Sequence, residues 1–91
     1  MRRAAKVDSN HREVVAALRA AGCEVLDLSR VGGGCPDLLV YRTARGLLRL
    51  LEVKVAKGRL TELQQTKFLR LPVWVVRSPA EALAAMEVEI A

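Results

Sequence analysis

Apolar positions recur along the chain with two different periods, and the changes between them mark out its elements. After Asp8 or Ser9, either a competent N-cap, Val14, Val15, Leu18 and Ala21 keep helical spacing until Gly22, which predicts a first helix over about residues 9–21. Cys23, Val25 and Asp27 then alternate with Glu24, Leu26 and Leu28, the spacing of a strand. A loop from Ser29 to Cys35, with three consecutive glycines at Gly32–Gly34, leads through Pro36 into a second strand at Asp37–Tyr41. Arg42 to Gly46 turns the chain back into Leu47–Val55, so the second and third strands form an antiparallel hairpin. Leu60, Thr61 and Gln64 supply staple, N-cap and N3 residue of a capping box, opening a second helix that runs to Leu69 or Arg70. Pro72 ends it, Val73–Val76 is a β-branched fourth strand, and Ser78-Pro79-Ala80-Glu81 starts a third helix over about 79–86.

The order is therefore αβββαβα, an α/β sandwich with one central mixed β-sheet flanked by helices. Neither an internal repeat nor a linker divides it, so residues 1–91 read as a single domain, with 1–7, carrying Arg2, Arg3 and Lys6, as a mobile basic arm. At this length the core is thin, which favours an oligomer.

The third strand breaks the apolar pattern. Leu47, Leu51, Val53 and Val55 fill one face, while Leu48 and Leu50 begin the other, where Glu52 and Lys54 follow. Desolvating an unpaired carboxylate or ammonium costs several kcal/mol, so these two charges either pair with each other or bind something. Their i, i+2 spacing points both to one face. A two-residue loop at Ala44-Arg45 sets Asp37 opposite Glu52, and one at Arg45-Gly46 sets it opposite Lys54; either register puts all three together. Two carboxylates that close call for a cation, and hard oxygen ligands favour Mg2+, with Mn2+ as a substitute, over zinc. The competing reading makes Asp37 a turn cap and Glu52–Lys54 an ordinary ion pair on an exposed strand.

Charge and composition narrow the classes. Fifteen Lys and Arg against ten Asp and Glu give a formal charge of +5, which suits polyanions. One Asn and two Gln lean towards a thermophilic source. With Cys23, Cys35 and the single His11 as its soft ligands, the chain cannot supply a structural zinc site, and the thiols read as buried and reduced. The absence of a long apolar run points to a cytoplasmic protein with no membrane partner. RNA recognition by stacking would need more than Tyr41, Phe68 and Trp74, and the last two lie on apolar runs suited to core packing.

Pro36-Asp37 followed by Glu52-Val53-Lys54 resembles the signature of the PD-(D/E)XK nucleases. Asn10-His11-Arg12-Glu13 with Val14, Val15 and Leu18 resembles the first helix of archaeal-type Holliday junction resolvases and of VRR-NUC domains. Gly32-Gly33-Gly34-Cys35-Pro36-Asp37 resembles their approach to the metal aspartate, and Lys57-Gly58-Arg59-Leu60-Thr61-x-x-Gln64 the segment after the VRR-NUC lysine. The resemblance spans roughly residues 8–80 and implies a restriction-endonuclease-like core. It implies Mg2+ held by Asp37, Glu52 and the Val53 carbonyl, Lys54 as catalytic lysine, and Glu13 near the metal through water. Glu13 alternatively is a solvated helix carboxylate, and Gln64 is either an active-site residue or only a helix cap. Arg2, Arg3, Lys6, Arg12, Arg30, Gly33, Lys57 and Arg59 are the candidates for holding DNA phosphates. The implied function is a homodimeric Holliday junction resolvase acting on four-way DNA junctions, phage-encoded or cellular, without a small-molecule cofactor. The alternatives are a VRR-NUC-like endonuclease nicking flap or duplex DNA, or a catalytically silent DNA-binding module.

Overall fold

Both periods are realised in the computed structural model, which describes residues 3–55 and 57–89, with side chains from residue 10 onward. The elements are α1 (Arg3–Ala20), β1 (Cys23–Asp27), β2 (Leu38–Arg42), β3 (Leu47–Val53), α2 (Glu62–Phe68), β4 (Val73–Val76) and α3 (Pro79–Ala85). The strands form one sheet in the order β1-β2-β3-β4. The first two pairings are antiparallel and β3–β4 is parallel, so the sheet is mixed as expected.

Cross-strand partners share a face, and one face carries Val25, Val40, Leu38, Leu51 and Val53 towards α1 and α3. Val14 and Leu18 from α1 and Ala82 and Met86 from the α3 region complete this core. Arg42 and Arg49 also lie under α3, where their guanidinium groups donate to the last carbonyls of that helix and its exit, Ala85 O at 2.5 Å and Glu87 O at 2.6 Å. A helix C-terminus leaves those carbonyls without partners of its own, so two charged side chains are satisfied against the core.

The structure corrects four expectations. Helix α1 begins at Arg3, not near residue 9, so Arg3–Val7 are helical and not an arm, while Met1 and Arg2 lie outside the described residues. Ala4, Ala5 and Lys6 are good helix formers, and cap residues such as Asp8 and Ser9 cost only tenths of a kcal/mol inside a helix. Strand β1 ends at Asp27, where the side chain accepts a 2.9 Å bond from the Ser29 N–H and turns the chain. Strand β3 stops at Val53 because its pairing with β4 ends at Val53–Val76, and Val55 is exposed. Trp74 is also exposed, since β4 is an edge strand, and the Arg49 guanidinium lies 4.6 Å from its ring centroid. Phe68 is half-buried.

The cap signals hold. Thr61 accepts from the Gln64 N–H while Gln64 Oε1 accepts from the Thr61 N–H, and Ser78 accepts from the Glu81 N–H with Pro79 at the first helical position. Cys23 is buried, Cys35 half-buried, and both are free thiols. Among the described residues no helix is long and apolar enough to cross a membrane.

Candidate active site

Asp37, Glu52 and Lys54 converge because of the hairpin register. Leu38 pairs with Leu51, and one further step sets Asp37 opposite Glu52, the first of the two registers considered. The turn is four residues, Thr43 to Gly46, closed by bonds from the Arg45 and Gly46 N–H groups, with Gly46 at φ +63°.

Asp37 is fixed at both ends. Its carbonyl accepts from the Leu28 N–H at 2.7 Å, and its Oδ2 accepts from the Val53 N–H at 2.9 Å. In an extended strand the N–H and C=O of a residue point to the same side, so the Val53 carbonyl faces the edge on which Asp37 lies.

Glu52 is only 2 % exposed, the one buried charged residue among those described. Its Oε2 accepts from Gln64 Nε2 at 2.8 Å and lies 3.3 Å from Lys54 Nζ. Its Oε1 is buried without a hydrogen-bond partner among the described residues. Burial, and then the charge of Asp37, push the Glu52 carboxyl above its ordinary value, against the opposite pull of Lys54 and Gln64. The ion pair with Lys54 exists, but it stands in the interior and not on an exposed strand.

Gln64 caps its helix and also reaches Glu52. One end of its amide closes the capping box of α2, and the other donates to Glu52. The glycine run serves this contact as well: a Cβ on Gly34 would lie 2.9 Å from Leu63 Cγ, so glycine lets the loop before Asp37 approach α2. A Cβ at Gly33 would meet nothing within 4 Å among the described residues, and its φ of +65° is what calls for glycine there.

Lys54 is held through its backbone. Its N–H donates to Val76 O at 3.0 Å, and its carbonyl accepts from Asn10 Nδ2 of α1 at 3.1 Å. Just beyond, Arg77 donates to Val55 O at 2.9 Å and Gly58 O at 2.6 Å, clamping the turn that presents Lys57 and Arg59.

Glu13 is exposed and, among the described residues, shares no hydrogen bond or ion pair with Asp37, Glu52 or Lys54. Asn10, one turn earlier on the same side of α1, is among the described residues the α1 side chain that hydrogen-bonds to the end of β3. Sequence reasoning missed it, and missed Arg77; the only available signal was a lone Asn one turn before the glutamate. Arg12, Arg30, Lys57 and Arg59 are exposed, whereas the side chains of Arg2, Arg3 and Lys6 lie outside the described residues. On the far side, His11 Nε2 lies 3.0 Å from Asp27 Oδ2, and the Ser29 hydroxyl donates to Asp27 Oδ1 at 2.6 Å.

The donor set fits a hard divalent cation. A partnerless buried carboxylate oxygen beside a second carboxylate is what a cation would satisfy. Among the described residues no group of three His, Cys, Asp or Glu side chains forms a metal cluster, so the remaining ligands would be the Val53 carbonyl and water. Mg2+ commonly binds with one or two carboxylates and several waters.

One comparison with known proteins finds a match. The model of the VRR-NUC domain matches residues 4–82, while no curated protein and no solved structure matches the chain. That match spans well over half of the sequence, and with it the chain belongs to the VRR-NUC domain family, a family of PD-(D/E)XK-like nucleases.

Proposed function

We propose that the chain is a magnesium-dependent endodeoxyribonuclease that resolves four-way DNA junctions as a homodimer. The observation that carries the catalytic part is the buried Glu52 carboxylate, one oxygen tied to Lys54 and Gln64 and the other without a partner next to Asp37. A cation held by Asp37, Glu52 and the Val53 carbonyl would polarise the scissile phosphate and acidify the attacking water. Lys54 extends its ammonium over the same carboxylate, where it stabilises charge developing on the phosphate or orients the water. Gln64 fixes the Glu52 rotamer, and Glu13 acts at longer range through water.

Exposed Arg12, Arg30, Lys57 and Arg59 supply phosphate contacts, which position a nucleic acid without reading its sequence. This supports selection by DNA shape. A two-fold pair of sites matches the symmetry of a four-way junction, and the sheet face away from α1 and α3 leaves Leu26, Tyr41 and Leu48 exposed, which favours a second copy as partner.

The family match favours a second reading equally, an endonuclease that nicks flap or duplex DNA. A silent DNA-binding module would have no need of a buried, partnerless carboxylate oxygen. The test is cleavage of a mobile four-way junction, a flap and a linear duplex, with Mg2+ and with chelator. Paired symmetric nicks confined to the junction support resolution, and equal cutting of flap or duplex replaces it with the second reading. Asp37→Asn is expected to lower cleavage by at least about a thousandfold while leaving DNA binding and dimer mass intact; full activity in that variant would sink the catalytic assignment.

A further inference from the structure

We infer that Asn10 is a positioning residue for Lys54: its side-chain amide completes the hydrogen bonding at the end of β3 and so fixes the backbone from which the ammonium reaches Glu52. The inference rests on the nuclease reading above and deepens it.

The need for such a donor lies in the parallel ladder. Lys54 N–H donates to Val76 O, so a continuing ladder would bring the N–H of residue 78 to the Lys54 carbonyl. The chain turns away before that can happen. Arg77 donates its N–H to Glu81 Oε1 at 2.8 Å, and Ser78 is already the N-cap of α3. The part-buried Lys54 carbonyl would be left without a strand partner, and Asn10 Nδ2 fills the position at 3.1 Å from 44 residues away. Only a donor can do so, and asparagine brings one on a short side chain with few rotamers.

Neighbouring contacts hold the chain on either side of this point. Arg77 grips the carbonyls of Val55 and Gly58 just beyond it, and a Cβ on Gly58 would lie 3.4 Å from Lys54 Cβ. The residue after Asn10, His11, anchors the same turn of α1 to Asp27 on β1. Strands β1 and β3 flank β2, so consecutive side chains of one helix tie down the strands on either side of Asp37. Catalytic geometry is sensitive to displacements of about 1 Å, which can cost about a hundredfold in rate.

The test compares Asn10→Ala with Arg19→Ala. Arg19 Nη2 donates to Val25 O at 3.2 Å, so its removal breaks the same kind of helix-to-sheet bond away from the site. For Asn10→Ala the expected result is a fall of about tenfold to a hundredfold in kcat, with KM for the DNA changed less than about twofold. Amide exchange at Lys54 should accelerate by about tenfold while exchange at Val40 in the core does not change. Both variants should lose melting temperature to a similar extent, and Arg19→Ala should show neither the kcat effect nor the exchange effect. Asn10→Asp, which keeps the shape and removes the donor, should behave as Asn10→Ala does. Wild-type kcat in Asn10→Ala, or an equal loss of kcat in Arg19→Ala, overturns the proposal. If the wild-type protein cleaves none of the DNA substrates, the nuclease reading fails by itself, and unchanged exchange at Lys54 still decides against Asn10.

Discussion

The two faces of β3 obey opposite rules. Towards α1 and α3, Leu51 and Val53 are buried among other apolar side chains, as a half-buried strand should be. On the other face Leu48 is 62 % exposed, while Glu52, four residues along, is 2 % exposed. A leucine stands in water and a carboxylate in the interior of the same strand face. Hydrophobic burial explains the first face and cannot explain the second, since the cost of desolvating Glu52 is unrelieved at Oε1. The difference separates what makes this domain fold from what the proposed chemistry would use.

Neighbouring residues on the two faces should therefore respond with opposite signs. Leu51→Ala removes a fully buried side chain and is expected to cost about 2–5 kcal/mol, read from denaturant unfolding. Glu52→Gln, one residue away, should stabilise the cation-free protein by about 1 kcal/mol and raise its melting temperature by about 4–8 °C, while cleavage is lost. The pH dependence follows from the same burial. A carboxyl held above its ordinary value of 4.5 contributes stability that is full below that pH and is lost as pH rises through the raised folded value. Cation-free wild type should lose stability over that window, and Glu52→Gln should not. Equal destabilisation by both substitutions would erase the distinction between the faces.

Asp27 works in the other direction. Its burial would raise the carboxyl, but hydrogen bonds from the Ser29 hydroxyl and N–H, and His11, outweigh it and bring it from 3.8 to about 2. That contribution is present above pH 3.8 and lost as pH falls towards 2. Asp27 tethers α1 to β1 with both oxygens bonded, whereas Glu52 Oε1 has no partner among the described residues, so one carboxylate is satisfied by the fold and the other is not.

What the sequence disclosed follows the range of the interactions. The capping box at Thr61 and the N-cap at Ser78 were legible because cap and partner lie three residues apart, and the strands because alternation is local. Asp37, Glu52 and Lys54 could be grouped because both hairpin registers place them on one face, although only the coordinates chose between registers. The start of α1 was misplaced because a good N-cap residue is also tolerated inside a helix. Trp74 and Leu48 looked like core because an apolar run does not tell which strand is an edge or which face is left uncovered. The contact that Asn10 makes was hidden because its partner is a backbone carbonyl 44 residues away, which leaves no trace in residue identity at the far end.

Gln64 is where the two rules meet, and it can be divided. Its amide oxygen serves the fold by capping α2, and its amide nitrogen serves the site by bonding Glu52. Thr61→Ala removes the cap and keeps the bond to Glu52; it should cost about 1 kcal/mol of stability with kcat little changed. Gln64→Glu keeps an acceptor at the third helical position, so the capping box survives, but replaces the donor facing Glu52 with a second carboxylate. It should leave the melting temperature near wild type and lower kcat by about tenfold. Helicity followed by circular dichroism, together with cleavage rates, reads both effects. If Thr61→Ala instead carries the loss of rate and Gln64→Glu is silent, Gln64 acts only by holding its helix, and the buried Oε2 of Glu52 is oriented by Lys54 alone.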